Sequence, residues 1–92
     1  MTLSRSVADA LAGLGLGGAR VVSPLSGGSI HAVSLLEATS GRRVVVKEST
    51  EAPPDLFARE ADGLHLLRSV AAAPPAPEPL AFGPTFLILD YL

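Results

Sequence analysis

Three features of this chain combine residue types and spacing that suit phosphate chemistry. Gly27-Gly28 lies in a Ser-Gly-Gly-Ser turn between two strand-like runs. Glycine lets backbone N–H groups approach an anion with no side chain in the way. Lys47 closes the apolar run Val44-Val45-Val46. An ammonium at the end of a buried strand needs an anionic partner, because an unpaired buried charge is costly. Glu60 lies in a segment of helical period, and a carboxylate on a core-facing side wants a cation. Each feature also has an ordinary reading. Gly-Gly is a common hairpin turn. Lys47 could reach water from its strand end, and Glu60 could do so from the edge of its apolar stripe.

These residues need elements to position them. Ser4 to Leu14 reads as a short helix, with Val7, Ala10, Leu11 and Leu14 at three- and four-residue steps, ended by the glycines from Gly13 to Gly18. Ala19 to Leu25, closed by Pro24, reads as a strand, followed by Ile30 to Ala38 and, after a hairpin at residues 39–42, by Arg43 to Glu48. This makes a three-stranded antiparallel meander. Period two puts Val45 and Lys47 on one face of the third strand, and Val44, Val46 and Glu48 on the other.

Ala52-Pro53-Pro54 breaks the chain. Asp55 is then a candidate N-cap for a helix from Leu56 to Val70. At about 100° per residue, Phe57, Ala61, Leu64 and Leu67 form its apolar stripe, and Glu60 falls between Leu64 and Leu67. Residues 71–79 carry four prolines, too many for helix or central strand, so they predict a stiff extended connector. Leu80 to Gly83 and Thr85 to Leu92 predict two more strands around a Gly83-Pro84 turn.

Composition narrows the function classes. The chain has 92 residues, enough for one modest core, and 48% of them are hydrophobic. A net charge of -2 leaves no basic footprint for nucleic acid or an anionic membrane. There is no cysteine, which excludes disulfides, zinc-thiolate sites and thiol catalysis. His31 and His65 have no carboxylate at ligand spacing and do not predict a metal site. Met1 to Asp9 has no basic segment followed by an apolar run, and no run is long enough to span a bilayer, so a cytoplasmic protein is expected. Arg42-Arg43 reads as a charged hairpin tip, and Asp9, Glu37, Glu48 and Glu51 as solvated surface.

The order glycine turn, strand, hairpin, strand with lysine, helix with glutamate, strand, strand is that of a kinase amino-terminal lobe. There the lysine holds the nucleotide's α- and β-phosphates and the glutamate holds the lysine. The local motifs resemble one family in particular. Leu25-Ser26-Gly27-Gly28-Ser29-Ile30-His31 is similar to the nucleotide loop of bacterial fructosamine (ketosamine) kinases. Gly41-Arg42-Arg43-Val44-Val45-Val46-Lys47 resembles their lysine strand, and Phe57-Ala58-Arg59-Glu60-Ala61 with Leu64, Leu67 and Arg68 their glutamate helix. Pro77 to Leu80 resembles the entry to the next strand, and Phe86 to Leu92 the hinge. The likeness runs from Leu25 to Leu92.

This resemblance implies an α+β fold: a five-stranded antiparallel sheet with one glutamate-bearing helix and a leading helix, residues 1–92 forming the nucleotide-binding lobe. It implies ATP under Gly27, Gly28 and Ser29, with Lys47 on its phosphates and Glu60 holding Lys47. Val45 would line the adenine slot, and the backbone of Asp90 and Leu92 would hydrogen-bond the adenine edge. The intact enzyme would phosphorylate a sugar hydroxyl of a ketosamine, reversing early glycation. Some members carry cysteine in the loop; Ser29 stands here, which excludes thiol-based regulation.

The family's catalytic aspartate, its asparagine and its magnesium ligands lie in a second lobe after the hinge. No His-x-Asp or Asp-x-Asp segment occurs in this chain, so the 92 residues alone are expected to be catalytically silent. The strand Thr85 to Leu92, which would face that lobe, is expected to expose apolar surface. Two alternatives share the pattern. One is the lobe of an aminoglycoside- or choline-type kinase. The other is a non-catalytic module that pairs through an exposed hinge edge.

Overall fold

The computed structural model describes residues 4–27, 31–49, 51, 53–70 and 77–91. Helix α1 (Arg5–Gly13) leads into strands β1 (Arg20–Gly27), β2 (His31–Glu37) and β3 (Arg43–Ser49). Helix α2 (Leu56–Ser69) and strands β4 (Pro79–Gly83) and β5 (Phe86–Asp90) follow. The strands form one antiparallel sheet in the order β1-β2-β3-β5-β4. This is the expected α+β plan of five strands and two helices.

Local chemistry sets the ends of α1. Ser4 Oγ accepts from the Val7 N–H at 3.3 Å and donates to Glu48 Oε1 at 2.6 Å, so the cap also ties the helix to β3. At the other end Gly15 takes a φ of +75°, a left-handed conformation that costs glycine little. The Leu16 N–H then returns to the Leu11 carbonyl at 2.8 Å, and that of Gly15 to Ala12 at 3.1 Å. This Schellman arrangement folds Leu16 back into the core beside Leu11.

Strand alternation then builds two cores, one on each face of the sheet. Under α1, Val7, Leu11 and Leu16 pack with Leu36, Val44, Val46, Phe86 and Ile88. Under α2, Phe57 and Ala61 pack with Leu87 and Leu89, and Val45 and Leu64 lie against them. Val44 and Val46 therefore face α1 while Val45 faces α2, as period two requires.

Three expectations need correction. Pro24 does not close its strand: β1 runs on to Gly27, with register irregularities on either side of Pro24. An edge strand tolerates a residue that lacks an N–H. Leu67 is not in the stripe: it is half exposed, and the buried face of α2 is Phe57 and Ala61 with Leu64 at its margin. The last turns of α2 are exposed, with Leu66 and Val70 as open as Leu67 or more so. The third concerns the hinge strand. β5 lies between β3 and β4, and Phe86 to Leu89 are all buried. β5 therefore offers no free edge, and the interaction module that would pair through such an edge loses its basis; of the expected hinge strand, Tyr91 does remain about half exposed.

Asp55 sits at the N-cap of α2 but makes no side-chain cap; its carboxylate pairs with Arg59 at 2.6 Å instead. The charged groups taken as solvated are also partly engaged, since Glu37 bridges Arg43 at 3.0 Å and Arg20 at 3.4 Å. Among the described residues no helix is long and apolar enough to cross a membrane.

Candidate nucleotide site

Lys47 and Glu60 come from different elements and meet on one face. Lys47 stands opposite Val33 and Leu87 in the sheet, on the α2 side with Val45. Helix α2 is seated by Phe57 and Ala61, which leaves Glu60 on the flank of those two anchors, within reach of Lys47 on β3. Lys47 Nζ lies 3.4 Å from Glu60 Oε2. The two side chains are 37% and 36% exposed, so water reaches the pair and weakens it. An ammonium carries three N–H donors, and Glu60 takes one of them. The others can meet an anion.

Beside this pair the sheet opens into a cleft of about 350 Å³, lined by Val45, Lys47, Pro77, Leu89, Asp90 and Tyr91. That is the size of a small-molecule site. Val45 and Leu89 are directly paired across β3 and β5, so two apolar side chains form a wall, with the lysine along the strand from them. Asp90 and Tyr91 border it at the end of β5. The Asp90 N–H is already committed, donating to the Glu78 carbonyl at 2.9 Å, and the Tyr91 N–H donates to that of Arg43 at 3.3 Å. Of the two backbone groups of Asp90, only the carbonyl could then serve an adenine edge.

Of the residues singled out from sequence, Val45, Lys47 and Asp90 line this cleft and Glu60 holds its lysine. Gly27, the last residue of β1, pairs with Ala32, which in turn stands opposite Glu48, so it lies at the Lys47 end of the sheet. Gly28, Ser29 and Leu92 lie outside the described residues, as does the side chain of His31. His65 is exposed on α2. Sequence reasoning missed Leu89, Pro77 and Tyr91. Leu89 was within reach of it, since it alternates with Leu87 on the face opposite Ile88. Pro77 needed the fold of the connector and could not be found from pattern.

An ammonium, an apolar wall and backbone groups around one cleft suit a nucleotide. A metal fits less well: among the described residues no three His, Asp or Glu side chains gather as a metal site.

A sheet of this order, with a lysine on the third strand paired to the glutamate of the following helix, is that of a kinase amino-terminal lobe. The model of the fructosamine kinase family matches residues 17–92, and the chain belongs to that family. Comparison with curated proteins and with solved structures found no match.

Proposed function

We propose that this chain is the ATP-binding lobe of a fructosamine-kinase-type phosphotransferase. The observation that carries it is the Lys47–Glu60 pair beside the cleft walled by Val45 and Leu89. In this reading the adenine lies between the apolar wall and the end of β5, and the Asp90 carbonyl accepts from its amino group. The phosphates extend toward Lys47. Glu60 holds the ammonium in place, so little side-chain freedom is lost when phosphate arrives. Gly27, the last residue of β1, stands at that end of the sheet, and in this reading it supplies backbone N–H groups to the phosphates together with Gly28 and Ser29, which lie outside the described residues.

Phosphoryl transfer also requires a divalent metal and a group that orients the attacking hydroxyl. We assign both to the family's second lobe, and with them the ketosamine acceptor. The role of these 92 residues is to bind and align the nucleotide.

Calorimetric titration with ATP tests this. The wild-type chain should bind ATP, and Lys47→Met should weaken binding by roughly 10- to 100-fold, the range for a lost charge-assisted contact. Equal binding by the two proteins would remove Lys47 from the site.

A further inference from the structure

Asp90 takes part in both faces of the sheet. It lines the cleft with Leu89 and Tyr91, and the register of β5 leaves its backbone to do so. Its side chain, opposite Val44 in register, belongs to the α1 face, the reverse of the one that holds Val45 and Lys47. There Arg42 reaches it, with Nε and Nη2 each 3.4 Å from Oδ1. Arg42 directly precedes β3, at the tip of the β2–β3 hairpin, and is not among the residues that line the cleft. The neighbouring residues repeat the tie through backbone: the Tyr91 N–H donates to the Arg43 carbonyl, and on the other flank the Asp90 N–H donates to Glu78. The Glu78 carboxylate in turn pairs with Arg68 on α2 at 3.4 Å. The hairpin, the residue just before β4 and helix α2 are thereby all connected to Asp90 and Tyr91, at and just beyond the end of β5.

We infer that Arg42 is a positioning residue for the nucleotide: from the far face of the sheet, through the Asp90 carboxylate, it fixes the stretch of backbone that borders the cleft. The inference rests on the nucleotide reading of that cleft. A strand end opens locally more readily than a strand centre, and the Tyr91–Arg43 bond at 3.3 Å is longer than the usual N–H···O distance. A backbone carbonyl serves a ligand only within a narrow range of distance and angle. Holding it there before the ligand arrives lowers the ordering cost of binding. The pair is 46% and 32% exposed, so it adds little to global stability; its effect is on the strand end it holds.

The test combines amide hydrogen exchange with ATP titration on the 92-residue chain and its Arg42→Ala, Arg42→Lys, Asp90→Asn and Arg42→Ala/Asp90→Asn variants. Arg42→Ala should speed exchange at the Asp90 and Tyr91 amides about two- to fivefold, the range for an exposed ion pair. Exchange at Leu36, on the α1 face of neighbouring β2, should not change. ATP affinity should fall by a similar factor. Arg42→Lys should recover most of the loss, and Arg42→Ala should cost nothing further once Asp90 is Asn. Unchanged exchange at Asp90 and Tyr91 in Arg42→Ala would overturn the inference. So would an undiminished effect of Arg42→Ala on ATP in the Asp90→Asn background, since Arg42 would then act without Asp90. A wild-type chain that binds no ATP overturns the nucleotide reading itself; the exchange rates, which need no ligand, tell the two failures apart.

Discussion

Lys47 Nζ and Glu60 Oε2 stand 3.4 Å apart across the gap between β3 and α2, with both side chains a little over one-third exposed. At that exposure the pair contributes well under about 1 kcal/mol to folding. Its worth is in orientation: a carboxylate on a seated helix restricts a long, flexible lysine to one side of the cleft.

Binding and stability should therefore separate at this pair. Glu60→Gln keeps the shape and removes the charge. Its thermal midpoint should stay within a few degrees of wild type, while ATP affinity falls by roughly tenfold. A parallel collapse of both in calorimetry would mean that the pair is chiefly structural.

Two α2 positions that the helical period places on one stripe, Phe57 and Leu67, should behave very differently. Phe57 is 1% exposed and joins Ala61, Leu87 and Leu89, so Phe57→Ala should cost about 3–5 kcal/mol. That is a large part of the stability of any small domain. Leu67 is 50% exposed, and Leu67→Ala should stay within about 0.5 kcal/mol of wild type. Urea unfolding of the two variants decides this.

Gly83 should not tolerate a side chain. It stands opposite Phe86 where β4 and β5 pair, and a Cβ there would lie 2.6 Å from Phe86 Cε1. Phe86 is itself buried against the α1-side core, so its ring has little room to yield. Gly83→Ala should destabilise by about 1–3 kcal/mol, the range for overpacking, seen as a lower midpoint in thermal denaturation.

Ser49 should be improved by truncation. Its Oγ is buried and has no hydrogen-bond partner among the described residues, a state that costs about 1–3 kcal/mol. Its amide still donates to the Thr85 carbonyl at 2.9 Å, which alanine would keep. Ser49→Ala should raise the thermal midpoint, and a clear drop would show that the hydroxyl has a use.

Much of this architecture was legible in the chain because it is written in local periods. Alternation in β3 assigned Val45 and Lys47 to one face and Val44 and Val46 to the other, and the structure keeps that division. Ser4, with Val7 and Leu11 behind it, marked the start and the buried side of α1. The spacing of Phe57, Glu60 and Ala61 put the carboxylate beside the helix's apolar side, from which it reaches Lys47.

Non-local pairing was not written in any period. Nothing in Phe86 to Asp90 says that this strand inserts between β3 and β4, because register between distant strands is chosen by the packing of whole faces. That insertion buries the hinge strand, pairs Leu89 with Val45 to wall the cleft, and brings Asp90 within reach of Arg42. Likewise the helical spacing of Leu67 could not reveal that the last turns of α2 lie exposed. Sequence by itself determined which residues share a face of each element, since backbone geometry repeats every two or 3.6 residues. Only the tertiary structure decided which faces meet, since that depends on the shape and area each buries against the others.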